Sequence, residues 1–471
     1  MLFNSHAYLI YFLPIAALGF FAFGERPRWA VRWLVVASLF FYGWWNPAHL
    51  PLIAGSIVGN FWIARRIQHS AHRRGWLVAG VAANLALLGI FKYADFLLRT
   101  LAQVGAMPLV QLDLALPLGI SFFTFTQIAF LVDVSRDKAR EPSFDNYALF
   151  VTFFPHLLAG PIIHHSEMMP QFASTSNKRV AWENVAAGIF LLAIGLAKKV
   201  FLADPLVPLV AAGFDHAASV DAAQAWISAL AYTLQIYFDF SGYTDMALGA
   251  ALIFNIRLPI NFDSPYRSLD LREFWHRWHM TLSRFLREYV YIPLGGNRAA
   301  EARVLANLLL TFLLGGLWHG AAWTFVCWGA LHGLGLCGLR AWRRAGLRLP
   351  RPAAWAVTFA FVVVTWVFFR AATLGDAASI VRAMAGFAPD AVAATRGITG
   401  LRDLAVALWT AHAAACVSLV AGLAIVFRRR NSNALVRELS ASWVVAVATA
   451  AALTVSVLQL GNVAPFLYFN F

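Results

Sequence analysis

The chain has 471 residues, of which 60% are hydrophobic and 13% are charged, and its formal net charge is +14. A soluble protein devotes about a quarter of its residues to charged side chains, so this composition excludes an ordinary water-soluble fold. The Lys and Arg residues stand in short clusters between apolar runs and form no continuous basic face, which argues against a nucleic-acid partner.

Several apolar stretches approach the roughly 20 residues that a helix needs to cross a bilayer. They include 6–24, 76–98, 404–427 and 440–459. The first stretch follows no basic segment and precedes no small-residue cleavage site, so we expect it to be retained and not removed as a signal peptide. Basic clusters, which mark cytoplasmic loops, alternate with loops that lack Lys and Arg, and this alternation predicts an extracytoplasmic N-terminus.

These patterns predict an all-α, polytopic integral membrane protein with about 11–13 transmembrane or re-entrant helices. No internal repeat or soluble domain is evident, so we expect a single membrane domain over residues 1–471. Segment 147–165 carries Pro155, Gly160 and Pro161, and we expect it to dip into the bilayer and return. Irregular backbone at that depth is tolerated where it is buried in protein or lines a cavity, which indicates a hollow interior.

Two carboxylates, Asp239 and Asp245, lie in a polar interruption at 237–245 of an otherwise apolar span. Charged groups inside a membrane are costly and usually face the interior of a helix bundle. Two interpretations stay open. The carboxylates line a substrate path, or they brace neighbouring helices through internal hydrogen bonds.

The longest polar region, 257–303, contains eight arginines, and we expect its part from about 264 to 303 to be a cytoplasmic amphipathic segment. Apolar residues recur at helical spacing over 271–289, which predicts one amphipathic helix with Trp275 on its apolar side. Such a helix is either a strut at the membrane surface or the wall of a donor site whose arginines meet phosphates. On a helical wheel His279 falls beside the apolar stripe and His276 on the charged side, so we expect His279 to be buried.

A second histidine, His319, stands among glycines, alanines and tryptophans in segment 313–325. If a helix begins near Leu305, His319 lies about 21 Å along it, past the middle of the hydrocarbon core. The small neighbours would let helices approach closely. The imidazole is either a general base or a structural histidine hydrogen-bonded between helices.

Other chemistry has little support in the sequence. The three cysteines lie inside apolar stretches, where a small hydrophobic residue is the simpler interpretation, and we expect neither a disulfide nor a metal site (Cys327, Cys337 and Cys416). The sequence has no Gly-rich phosphate loop and no Gly-x-Ser-x-Gly elbow. The sequence therefore favours chemistry assisted by histidine over a covalent intermediate on Ser or Cys.

Three motifs together resemble the membrane-bound O-acyltransferase family, and within it the branch that acetylates alginate. They are REFWHRWH at 272–279, YIPLGGNR at 291–298 and GLWHG at 316–320. Further similarity runs through YFDFSGYTDM at 237–246, so the resemblance covers nearly the whole chain. In combination these motifs are far more specific than any one alone.

The resemblance implies a funnel of helices with His319 as the essential residue and His279 as its companion. It further implies that acetyl-CoA on the cytoplasmic side donates the acetyl group and that no cofactor is bound. The acceptor is then an extracytoplasmic polysaccharide, alginate or another exopolysaccharide, reached with the help of a separate extracytoplasmic partner protein. The protein would lie among the lipids of a bacterial inner membrane.

From the residues and the resemblance together, we expect His319 to act as general base on the acceptor hydroxyl. We expect His279 to orient or polarise the donor thioester. Asp239, Trp318 and Trp275 are expected to contact substrate.

Rival functions stay open at this point. A transporter or flippase would also use intramembrane carboxylates and a histidine. A structural scaffold in a polysaccharide-export complex would need neither histidine for chemistry. The same family resemblance is also compatible with two other reactions, D-alanyl transfer and acetylation of peptidoglycan.

Overall fold

The computed structural model describes residues 1–140, 143–387, 401–428, 430–440, 442–462 and 466–467. Two compact units can be distinguished. Unit 1 comprises Met1–Gly195, Tyr243–Ile260 and Glu438–Leu460, and unit 2 comprises Leu196–Gly242, Asn261–Arg437 and Gly461–Phe471. The single membrane domain expected over 1–471 stays a prediction.

The described residues form helices and no strand. The first ten α-helices are α1 (Leu13–Ala22), α2 (Pro27–Gly43), α3 (Leu50–His69), α4 (Arg73–Leu88), α5 (Ala94–Gln103), α6 (Ile120–Ser135), α7 (Phe144–Thr152), α8 (Phe154–Leu157), α9 (His165–Ala173) and α10 (Trp182–Ala197). The remaining ones are α11 (Val207–Phe214), α12 (Ala222–Ile253), α13 (Leu271–Arg277), α14 (Met280–Leu286), α15 (Glu301–His319), α16 (Trp323–Arg344), α17 (Arg351–Arg370), α18 (Leu374–Met384), α19 (Leu401–Val426), α20 (Ser432–Arg437) and α21 (Trp443–Leu458).

Local sequence signals set several of the helix ends. Ser143 caps α7 by accepting a hydrogen bond from the backbone N–H of Asn146. Thr373 and Asp376 form a reciprocal capping box at the start of α18. Asp270 caps α13 by accepting from the N–H of Glu273 at 2.9 Å, which fixes where the helix nearest the candidate site begins.

Four of the described helical stretches are long and apolar enough to cross a membrane: Arg73–Gln103, Trp182–Phe214, Glu301–His319 and Arg351–Arg370. Shorter apolar helices include Ala7–Ala22 and Trp443–Leu458. The predicted all-α, polytopic membrane fold is therefore confirmed, and the apolar stretches identified in the sequence form helices. The total of 11–13 spans and the funnel shape stay predictions.

In unit 1, the interrupted segment 147–165 is irregular, as its prolines and glycine predicted. Helix α7 ends at Thr152, a single turn of helix follows over Phe154–Leu157, and the chain is then non-helical until α9. Every residue of 147–165 is buried. Protein surroundings thus cover this irregular backbone, and its path relative to the bilayer stays a prediction.

In unit 2, helices α15 and α16 form a tight hairpin. A Cβ on Gly316 would overlap the backbone carbonyl of Phe325, and a Cβ on Gly329 would overlap that of Phe312. Only glycine allows this approach, so the prediction that small residues bring helices together is confirmed here. The hairpin holds the end of α15, and with it His319, against α16.

Candidate functional site

The segment around His279 departs from the predicted helix. The continuous amphipathic helix expected over 271–289 is wrong, because α13 ends at Arg277 and α14 begins at Met280. His279 stands between them with φ +42°, in the left-handed region. That conformation costs roughly 1–2 kcal/mol for an L-residue, so neighbouring contacts must stabilise it.

A neighbouring extended segment supplies those contacts. The N–H of Met280 donates to the carbonyl oxygen of Asn261 at 3.0 Å, and the N–H of Asp263 donates to that of Arg277 at 2.9 Å. These hydrogen bonds replace the intrahelical ones lost at the break. The segment 261–263 therefore fixes the turn that presents His279.

His279 itself is fully buried, with 0% of its surface exposed, whereas His276 is exposed. The predicted burial is confirmed, although the reason is the turn and not the face of a helix. Its Nδ1 lies 3.0 Å from Oδ1 of Asn261. Among the described residues, none offers a hydrogen bond to its Nε2, which is also buried.

His319 is the last residue of α15, and the chain turns at Gly320 before α16 begins. The span is helical up to His319, as the sequence analysis assumed, and the depth of the histidine in the bilayer stays a prediction. The side chain is 3% exposed. Its ring is enclosed by Trp318, Trp328 and Phe369, with centroid separations of 5.0, 5.2 and 5.2 Å.

The structure brings the two predicted catalytic histidines together. The ring centroids of His279 and His319 are 6.2 Å apart, although 40 positions separate them in the sequence. Trp318 contacts both rings, at 5.8 Å from His279 and 5.0 Å from His319. Two imidazoles at this spacing, walled by aromatic rings, can exchange protons with a small group held between or beside them while bulk water is excluded.

Trp275 lies four residues before His279 in the sequence and is 7% exposed. Its indole N–H donates to Nδ1 of His332 at 3.2 Å, and Nε2 of His332 lies 3.1 Å from the hydroxyl of Thr365. Both nitrogens of His332 are thus engaged, which is the arrangement of a structural histidine. Substrate contact by Trp275 and Trp318 stays a prediction.

Asp239 belongs to a different cluster. Its Oδ1 accepts from Nζ of Lys199 at 2.7 Å, and its Oδ2 accepts from the N–H of Leu467 at 2.9 Å. Lys199 also forms an ion pair with Asp204 at 2.8 Å. This geometry favours the bracing interpretation that the sequence left open, and substrate contact by Asp239 stays a prediction.

Three residues of these clusters escaped sequence reasoning: Asn261, His332 as a hydrogen-bond acceptor, and Lys199. Asn261 carries no motif signal of its own, because its function depends on a turn 18 residues away. The adjacent lysines at 198 and 199, inside an apolar run, were the one available clue to a buried carboxylate partner.

No group of three or more His, Cys, Asp or Glu side chains that could hold a metal ion occurs among the described residues.

Comparison with known proteins adds two kinds of similarity. The family model described as membrane-bound O-acyltransferase family matches residues 64–375. A peptidoglycan O-acetyltransferase from Helicobacter pylori is 42% identical, over 100% of this chain and 98% of its own length. A "probable alginate O-acetylase" from Pseudomonas aeruginosa is 42% identical over 82% of this chain and 75% of its own length. A teichoic acid D-alanyltransferase from Streptococcus thermophilus is 29% identical over 48% of this chain and 57% of its own.

Proposed function

The chain belongs to the membrane-bound O-acyltransferase family, and on that premise we propose that it moves an acetyl group from cytoplasmic acetyl-CoA to a hydroxyl of an extracytoplasmic polysaccharide. It is a multi-pass membrane O-acyltransferase. We propose that it lies in a bacterial inner membrane with its N-terminus outside, as the alternation of basic loops indicates.

Acetyl is the acyl group that the comparisons support best. The peptidoglycan O-acetyltransferase and the alginate O-acetylase, each 42% identical, are named for O-acetyl transfer, whereas the D-alanyltransferase matches less than half of the chain. For the acceptor we propose peptidoglycan first and alginate second, because the peptidoglycan O-acetyltransferase aligns with the whole chain and the alginate O-acetylase with 82% of it. A separate extracytoplasmic protein that presents the acceptor remains part of the proposal.

We carry forward the proposal that His319 and His279 are the catalytic residues. In the reaction a carbon–oxygen bond forms between the acceptor hydroxyl and the acetyl carbon, and the carbon–sulfur bond of the thioester breaks. The hydroxyl loses a proton, and the leaving thiolate takes one up. A histidine beside the reacting atoms can carry that proton, which contributes about 10²- to 10⁴-fold to the rate.

The single observation that carries this proposal is the 6.2 Å separation of the two buried histidine rings. Aromatic walls around the pair would keep water from competing with the acceptor hydroxyl for the acetyl group. Tryptophan and phenylalanine supply those walls without introducing a competing nucleophile.

The donor is proposed to bind beside the amphipathic segment. Arg277 is engaged by Glu273 at 3.0 Å, whereas Arg272 is exposed and has no ion-pair partner among the described residues. Arg287 is also exposed, and its ion pair with Glu288 is a long one at 3.4 Å. Guanidinium groups bind phosphate in a bidentate manner, so Arg272 and Arg287 suit the phosphates of coenzyme A.

The test is release of coenzyme A by the purified protein in lipid, with acetyl-CoA, the extracytoplasmic partner and peptidoglycan or alginate supplied. We expect His319→Ala and His279→Ala each to lower the turnover about 10²- to 10⁴-fold. His276→Ala is the matched control, because His276 lies in the same motif but is exposed, and it should turn over as the wild type does. Undiminished turnover in both alanine variants of the buried pair would refute the assignment.

A further inference from the structure

Asn261 is a buried polar residue that meets a ring nitrogen of His279. Its side chain is buried, with 0% of its surface exposed. Its Oδ1 is approached by three groups: the N–H of Thr281 at 3.3 Å, the hydroxyl of Thr281 at 3.0 Å and Nδ1 of His279 at 3.0 Å.

The direction of these hydrogen bonds follows from the chemistry of the groups. The backbone N–H of Thr281 can only donate, so the amide atom that it meets must be the oxygen and not the nitrogen of Asn261. An amide oxygen can only accept. Nδ1 of His279 must therefore carry the hydrogen, and in a neutral imidazole the lone pair then lies on Nε2.

We infer that Asn261 is a positioning residue that holds His279 in the tautomer whose Nε2 accepts a proton, and that His279 Nε2 takes the proton of the attacking hydroxyl. The inference rests on the proposed function and deepens it. A group that polarises the thioester carbonyl must donate a hydrogen bond, which this tautomer cannot do through Nε2. The base step thus moves from His319 to His279, and His319 remains the second catalytic histidine.

The proton balance closes within the site. As the hydroxyl oxygen bonds to the acetyl carbon, its proton passes to Nε2 of His279, and the carbon–sulfur bond breaks with its electron pair on sulfur. The thiolate then takes the proton back from Nε2, while Nδ1–H stays hydrogen-bonded to Asn261. An orienting acceptor behind a catalytic imidazole serves the same purpose in hydrolases, where a carboxylate occupies that position. Here the acceptor is a neutral amide, so it orients the ring without adding charge.

The surroundings of His279 simplify the pH dependence. Among the described residues, its ring contacts are Phe240 at 4.9 Å, Trp318 at 5.8 Å and His319 at 6.2 Å. Of these three side chains, only that of His319 is ionisable, and Asn261 is uncharged. A charge introduced at Asn261 should therefore act on His279 directly.

A spectroscopic test needs no turnover. Nitrogen-15 spectra of histidine-labelled protein in bilayers distinguish a protonated from an unprotonated ring nitrogen, and the His279 signals are those missing in His279→Gln. We expect Nδ1 protonated and Nε2 unprotonated in the wild type, and a mixture of tautomers in Asn261→Ala. An unprotonated Nδ1 in the wild type would overturn the inference whether or not the enzyme acts on the proposed acceptor.

The kinetic test uses a conservative variant. Asn261→Asp keeps an acceptor oxygen for Nδ1 and adds a negative charge, which stabilises the protonated imidazole. A base must be neutral to act, so the acidic limb of the kcat profile should move to higher pH by about one unit or more in Asn261→Asp. Asn261→Ala should lower kcat about 10²-fold with little change in KM for acetyl-CoA.

The matched control is Asn84→Ala. Asn84 is a buried asparagine of unit 1 whose side chain exchanges hydrogen bonds with Asn60, at 2.6 Å for the shorter one. Its loss should lower stability and leave the pH profile in place. An unshifted acidic limb in active Asn261→Asp would overturn the assignment of the base to His279, while wild-type coenzyme A release would still support the proposed function.

Discussion

The buried ion pair of Asp239 and Lys199 gives a quantitative test of whether this carboxylate is structural or contacts substrate. The two side chains are 1% and 2% exposed, and their charged atoms are 2.7 Å apart. Removing one partner of a buried pair typically costs about 3–5 kcal/mol, because it strands a charge in a medium of low dielectric constant.

The two single variants should differ in cost, because Lys199 has a second partner. Asp239→Asn leaves Lys199 paired with Asp204 and keeps an oxygen to accept from the N–H of Leu467. We expect it to cost about 1–3 kcal/mol, the range for an impaired buried hydrogen bond. Lys199→Met leaves the buried Asp239 carboxylate without its cation and removes one ion-pair partner of Asp204, so it should cost about 3–5 kcal/mol.

The assay is thermal unfolding of the protein in lipid nanodiscs, with coenzyme A release measured beside it below the unfolding transition. The double variant Lys199→Met with Asp239→Leu should recover part of the stability lost in Lys199→Met, since no charge of this pair is then left unpaired. If Asp239→Asn instead abolished turnover without lowering the unfolding temperature, and Lys199→Met left stability unchanged, the bracing interpretation would be refuted in favour of substrate contact.

Three further predictions concern packing, pH and hydrogen bonding. Gly316→Ala should lower the unfolding temperature through an overlap worth about 1–3 kcal/mol, whereas Gly338→Ala, whose Cβ would meet open space, should not. Burial lowers the pKa of Lys178 from 10.5 to about 8, so between these pH values the unfolded state binds more protons than the folded state. The free energy of unfolding of the wild type, relative to that of Lys178→Met, should therefore rise as the pH increases from 8 to 10.5. A difference in unfolding free energy that does not change with pH would contradict this prediction. Trp275→Phe should cost about 1–3 kcal/mol of stability by leaving Nδ1 of His332 without its donor, and equal unfolding temperatures would speak against that hydrogen bond.

The helical content and several helix limits were predictable because apolar length and capping are local. The stretch at 440–459 is the helix Trp443–Leu458, and the stretch at 76–98 lies within Arg73–Gln103. The break at His279 was not predictable, because periodicity continues through it. The turn is stabilised by a hydrogen bond from Met280 to Asn261, which a single sequence does not reveal.

The prediction that His279 and His319 act together came from the family resemblance and not from their spacing in the sequence. Nothing in the separation of 279 from 319 requires their rings to meet, and the turn that presents His279 depends on hydrogen bonds to the distant segment 261–263. The partner of Asp239 likewise could not be predicted from the sequence, because an ion pair between residues 40 positions apart depends on how two helices pack. Sequence reasoning left two interpretations of that carboxylate open for this physical reason.

The most direct measurement of the central claim is release of coenzyme A from acetyl-CoA by the purified protein in lipid, with partner and polysaccharide supplied. We predict turnover in the wild type and in His276→Ala, and a loss of about 10²- to 10⁴-fold in His319→Ala and in His279→Ala. Full turnover in both of the latter variants, with folding intact, would contradict the account of a paired-histidine acetyltransferase.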